Sequence, residues 1–135
     1  MDHRKTFLWL VVVMLWLPHT AFAAGNETRY TGTFSSLTYN KEGGDLLGAE
    51  LKIVTVRNGY QAALQIAEGG PSQLMVVDVS FDKNNATFTI PNNYMPYGGS
   101  VFTGTIDARQ IRGVLKFKNG SEMHLTLLRK HSYWD

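Results

Sequence analysis

The residues in this chain that could carry chemistry are few. The chain has no cysteine and four histidines, and only His124 and His131 lie beyond the first 23 residues. A metal centre needs several ligands converging on one point. Neither histidine has a partner at helical or hairpin spacing, so no metal site is expected. No Ser/His/Asp arrangement is legible and no Gly-x-Ser-x-Gly elbow occurs. The glycines of "GGDLLG" and "EGG" are turn residues, with no helix after them to make a phosphate cradle. Asp78 sits inside the apolar run "LMVVDVSF", where its register sets it beside Thr89 on an outward face. Glu50 shares that outward parity, but spacing forces no acid–base pair. The expectation is a protein that is not an enzyme, has no catalytic residues and needs no cofactor.

Two stretches remain as sites. The first is "PNNYMPYGG", residues 91–99, between the strand-like runs "ATFTI" and "SVFTGTI". Pro91 ends a strand because it cannot donate to a ladder. Pro96 and Gly98-Gly99 shape the turn. Tyr94, Met95 and Tyr97 then either cover one end of the domain as a lid or line a small ligand pocket there. Counting hairpins puts this loop at the same end as "GGPS" and "DARQ", away from Asn58-Gly59 and Asn119-Gly120. Arg109 is therefore expected to join Tyr94, Met95 and Tyr97 at a ligand-binding rim. The second stretch is the tail "HSYWD". Tyr133 and Trp134 are expected to fold back over an end of the domain or to anchor a partner protein, since exposed Trp and Tyr are enriched in binding hot spots. Packing is the favoured outcome.

The elements that position these residues begin after a leader. Arg4 and Lys5 precede an apolar run from Phe7 to Leu17, and Ala21-Phe22-Ala23 offers a small-x-small cleavage site. That is the three-part layout of a secretory signal peptide, and the run is shorter than the ~20 residues a spanning helix needs. Residues 1–23 are read as the signal, 24–29 as a linker, 30–130 as one domain and 131–135 as the tail. The product is expected to be exported, periplasmic or secreted, with no membrane span after cleavage. Without cysteine it must rely on its core alone. Sequons at Asn26, Asn85 and Asn119 matter only in a glycosylating host. The formal net charge is +2, and no basic run or stripe appears, so nucleic acid is not expected as a partner.

The domain reads as a meander of hairpins. Short alternating runs separated by Gly, Asn, Asp and Pro recur about every dozen residues, the signature of an all-β barrel or sandwich. Cross-strand partners share a face and side chains alternate along each strand, so a correct turn matches apolar with apolar. A type I′ turn at Asn58-Gly59 pairs Ile53 with Leu64 and Leu51 with Ile66. A loop at Gly69–Ser72 pairs Ile66 with Met75 and Leu64 with Val77. "DKNN" closes Phe81 on Ala86 and Val79 on Phe88. "DARQ" closes Ile106 on Ile111, Gly104 on Gly113 and Phe102 on Leu115. A loop at Asn119–Ser121 pairs Phe117 with Met123. With "RYTGTFSSLTY" as the opening strand, the count is eight. An eight-stranded antiparallel up-and-down barrel is expected, with a two-sheet sandwich as the alternative. Mid-strand Gly32, Gly104 and Gly113 favour the barrel, because strands need room where a sheet bends. An outward set including Lys52, Gln61, Gln65, Thr87, Thr89, Arg112, Lys116 and His124 is too polar to face lipid.

On these residues the chain resembles the calycins, the lipocalin-like and avidin-like small barrels. Gly32-Thr33-Phe34 matches the Gly-x-Trp of the first lipocalin strand, with Phe in place of Trp. Arg129 matches the arginine that packs over that ring from the last strand, sharing a face with Met123, Leu125 and Leu127. The resemblance implies a cation–π contact between Arg129 and Phe34. It does not extend to biotin binding, because Trp134 is the only tryptophan after the leader.

The functional expectation is a small exported binding protein holding an apolar or amphipathic ligand at the barrel mouth. The alternative is an interaction or inhibitor module with a filled barrel, using rim loops and the aromatic tail. The partner is an unidentified small molecule or protein.

Overall fold

The computed structural model describes residues 29–135. The expected signal peptide, residues 24–28 of the linker and the Asn26 sequon lie outside the described residues.

Nine strands and no helix make up the described chain: β1 (Gly32–Ser35), β2 (Thr38–Asn40), β3 (Asp45–Val56), β4 (Gly59–Gly69), β5 (Met75–Asp82), β6 (Asn85–Thr89), β7 (Val101–Ile106), β8 (Gln110–Lys116) and β9 (Glu122–Arg129). Every neighbour is antiparallel, each strand from β3 to β8 pairs with the next, and β1 pairs with both β3 and β9. The sheet thus closes into an eight-stranded up-and-down barrel, with β2 as an extra strand. The expected opening strand is split. Leu37 N–H turns to the Ser35 side chain at 3.2 Å instead of to a neighbouring strand. The register against β3 is the same on both sides of this break, Ser35 opposite Glu50 and Thr38 opposite Leu47.

Two hairpins have the expected register. Val79 faces Phe88 and Phe81 faces Ala86, while Gly104 faces Gly113 and Phe102 faces Leu115. Three others are shifted by two residues, each for a local reason. Lys83, in the β5–β6 turn, is the only described non-glycine residue with positive φ, so Asn58 cannot serve in a type I′ turn between β3 and β4. Arg57 and Asn58 form the turn, and Gly59, with φ of 136°, pairs with Val56. Leu51 therefore faces Leu64, and Ala49 faces Ile66. After β4, both backbone groups of Ile66 are taken by Ser72, so Met75 moves to Leu64. Between β8 and β9 the Asn119 side chain accepts from Ser121 N–H at 2.9 Å, which starts the turn one residue early and pairs Leu115 with Met123.

A slip of two leaves every side chain on its expected face. Leu51, Ile53, Leu64, Ile66, Val77, Phe88, Phe102 and Leu115 are all buried in one core. Phe88 and Phe102 stack inside it at 4.8 Å. Each such ring contributes roughly 1.5–3 kcal/mol by leaving water. Room for Phe102 comes from the glycine pair: a Cβ on Gly104 would stand 2.7 Å from the Phe102 ring and 2.3 Å from the Arg112 carbonyl.

Aromatic residues close both ends. Where β3 meets β4, Tyr30 stacks on Phe81 at 4.1 Å, Tyr60 meets Phe81 edge-on at 5.1 Å, and Tyr30 O–H donates to the Lys83 carbonyl at 2.7 Å. At the opposite end, Tyr97 and Phe117 pack at 6.2 Å.

Candidate functional site

The tyrosine loop is held from within and from both sides. Ile90 N–H donates to the Ser100 carbonyl and Gly99 N–H to the Ile90 carbonyl, which closes the neck. Tyr97 is buried, and its hydroxyl donates to Glu68 of β4 at 2.7 Å. Burial first, and then the bond and charge of Glu68, push the Tyr97 phenol up to about 12. A phenol that holds its proton so firmly is a hydrogen-bond donor at any ordinary pH. Half-buried Tyr94 uses its hydroxyl to accept the Val76 backbone N–H at 3.2 Å, satisfying β5 where it runs past the end of β6. The two tyrosines therefore tie the loop to β4 and β5. Met95, at the tip, is 74% exposed.

Lys118 fixes the loop from the other side, donating to the Asn92 side chain at 2.8 Å. Its stem crosses so close that a Cβ on Gly99 would stand 2.0 Å from the Lys118 Cε. Between these anchors lies a cleft of about 460 Å³, lined by Met95, Pro96, Tyr97, Phe117, Lys118 and Glu68 among others. Its wall is apolar along Met95, Pro96 and Phe117, with a carboxylate on one side and an ammonium on the other.

Arg109 does not join this rim. Strand direction alternates, so the β6–β7 loop shares its end with the β4–β5 and β8–β9 connections, and the β7–β8 turn lies at the far end. There the Arg109 side chain is exposed and its carbonyl accepts from Arg129 N–H at 2.7 Å. Following the same alternation through β7 places Lys118 and Asn119 beside the tyrosines; Glu68 and Phe117 needed the observed packing. Asp107, next to Arg109, accepts the backbone N–H groups of Arg109 and Gln110, which hold its carboxyl below the usual range, with Arg112 adding a smaller push in the same direction.

The tail folds back onto the outer wall instead of over a barrel end. Glu50 accepts Ser132 O–H at one oxygen and Tyr133 N–H, at 2.8 Å, at the other. The carboxylate is buried beneath them. Tyr133 and Trp134 meet edge-on at 5.0 Å and stay partly exposed, with Trp134 beside Leu74, Ala63 and Lys52 around an apolar groove of about 190 Å³.

The remaining candidates stay on the surface. Asp78 is exposed on the outer face and accepts the Gln61 amide at 2.9 Å. His124 and His131 are exposed and far apart along the fold. Among the described residues no group of three or more His, Asp or Glu side chains gathers in a metal-holding arrangement.

Compared with family models, with curated proteins and with solved structures, the chain matches none.

Proposed function

We propose that this is a small exported, non-catalytic binding protein of calycin-like type whose ligand site is the cleft on the tyrosine-loop rim. The observation that carries the reading is the cleft itself, about 460 Å³. Small-molecule sites typically measure roughly 300–1,000 Å³ and combine an apolar lining with a few placed polar groups. The barrel interior is filled by Phe34, Phe88, Phe102 and the aliphatic core, so the mouth supports the reading and the lumen does not. A fitting ligand is amphipathic: an apolar body against Met95 and Phe117, and a polar head between Lys118 and the Glu68–Tyr97 pair.

The test is a fluorescence titration with 1-anilinonaphthalene-8-sulfonate, whose aryl body and sulfonate suit that wall and Lys118. Saturable enhancement that Met95→Ser and Lys118→Ser weaken, and that Asp78→Asn leaves alone, is expected. Enhancement unchanged by both cleft variants would overturn the assignment of the site.

A second reading has its own support. Tyr133, Trp134 and Leu74 make a partly exposed aromatic-aliphatic patch on the outer wall, 39%, 54% and 58% exposed respectively. Such residues anchor protein partners. Under this reading the chain is an interaction module, and removal of residues 133–135 abolishes capture of its partner while leaving the rim cleft intact.

A further inference from the structure

The end of the barrel opposite the cleft carries a ring of positive charge that no run of the sequence displays. Each connection there supplies one or two cations. Arg29 precedes β1, Arg57 sits in the β3–β4 turn, Lys83 in the β5–β6 turn and Arg109 in the β7–β8 turn, while Arg129 and Lys130 end β9. The acids on this end are Asp82 and Asp107, and Asp107 is already committed to two backbone N–H groups. All of these cations except Arg129 are exposed. Arg29 and Arg129 lie close enough for Arg29 to lower the Arg129 pKa, after burial, which is the larger cause. The cleft end is different: Lys41, Lys116 and Lys118 are set against Glu42, Asp45, Glu68 and Glu122. A nearly neutral chain is therefore polarised along the barrel axis.

The shape of the charged end selects a partner. Going round the barrel, the cations pass from Arg29 to Lys130, Arg109, Lys83 and Arg57, so they surround the mouth. The mouth is closed by the half-buried rings of Tyr30, Tyr60 and Phe81. The result is a broad disc with an amphipathic aromatic centre and a cationic rim. A linear polyanion needs a groove with stacking faces along it, and a closed plug offers none. A bilayer surface presents mobile anionic headgroups to every point of a rim at once, and tyrosine favours the headgroup level.

We propose that this end docks on an anionic phospholipid surface, through Arg29, Arg57, Lys83, Arg109 and Lys130, with the tyrosine-loop cleft turned away from the membrane. The contact is peripheral and electrostatic. It weakens as salt rises, because exposed charges are screened over ~10 Å at 0.1 M.

The test is co-sedimentation of the purified chain, its N-terminus read by mass spectrometry, with vesicles of phosphatidylcholine alone or with about one-third phosphatidylglycerol. Binding to the anionic vesicles alone, lost at high salt, is expected. Arg57→Gln/Arg109→Gln should weaken it by about 25-fold, roughly fivefold for each cation removed. The control Lys41→Gln/Lys116→Gln, with the same charge change at the opposite end, should weaken it by less than about threefold. Both pairs sit on exposed turn or surface positions, and far-UV circular dichroism verifies that each folds. No binding to anionic vesicles, or equal binding to neutral ones, would overturn the proposal. So would an equal loss in the control, or tighter binding to a duplex oligonucleotide than to the vesicles.

Discussion

The guanidinium of Arg129 lies over the ring of Phe34, its central carbon 4.4 Å from the ring centroid. The same group donates to the Ala108 carbonyl at 2.9 Å, to the Thr31 carbonyl at 2.6 Å and to the Arg29 carbonyl. Phe34 is fully buried and pairs with Arg129 across β1 and β9. The seam between those strands is only two residue pairs long, Phe34 with Arg129 and Ser35 with Leu128. One side chain therefore closes the shortest ladder in the barrel, and it does so with planar donors that lysine lacks.

Arg129→Lys should keep the charge and lose most of the fork, destabilising the fold by about 2 kcal/mol, since hydrogen bonds to charged groups contribute roughly 1.5–3 kcal/mol each and some are replaced by water. Urea unfolding measures this. A loss below about 0.5 kcal/mol, the scale of an ordinary surface change, would mean that the seam does not depend on Arg129.

Gly104→Ala should cost about 1–3 kcal/mol by overpacking. The new methyl meets the Phe102 ring and the backbone of β8 together. Gly120→Ala is a useful comparison for space, because nothing lies within 4 Å of a Cβ there, although its φ of 87° adds backbone strain. Phe102→Leu placed on Gly104→Ala should recover part of the loss, because it removes the ring that the methyl strikes. Thermal melts of the single and double variants would show this coupling, and strict additivity would contradict it.

These two predictions show what the sequence made legible. Parity placed Gly104, Gly113 and Arg129 on the right faces, because side-chain alternation survives a register slip of two, and the calycin resemblance pointed to Phe34. It could not fix the register itself, which at Asn58, Ser72 and Asn119 depended on single side chains and backbone angles. The candidate site was half legible. Met95 and Tyr97 line the cleft while Tyr94 ties the loop to β5, the partners Glu68 and Phe117 come from distant parts of the sequence, and Arg109 belongs to the other end. The cationic ring was illegible for the same reason: its members are spread from residue 29 to residue 130 and meet only when the sheet closes.

Tyr97 gives a pH signature. Its phenol ionises at about 12 in the fold against 10.0 ordinarily. Below pH ~10 both folded and unfolded chains hold the proton and the contribution is fully present. Between about 10 and 12 the unfolded chain releases its proton first, so stability falls as pH rises. Stability curves over this window should be flatter for Tyr97→Phe than for the parent chain. Ultraviolet titration at the phenolate band should show one late tyrosine that this substitution removes. Identical curves would contradict the buried placement.

The tail has its own test. Glu50→Ala removes both acceptors that hold Ser132 and Tyr133. Residues 131–135 should then come loose at a cost of about 1–2 kcal/mol. Carboxypeptidase should trim the variant faster, and Trp134 emission should shift to the red. Unchanged trimming and emission would show that the tail does not rest on Glu50.

The proposed ligand site lies on the rim of a filled barrel. Two methionines report on it directly: Met95 stands 74% exposed at the cleft, and Met75 is fully buried in the core. Methyl-labelled methionine NMR during titration with 1-anilinonaphthalene-8-sulfonate follows both at once. The Met95 resonance is expected to move to saturation while Met75 stays still. Movement of Met75 with Met95 unchanged would place the ligand inside the barrel and contradict the rim site.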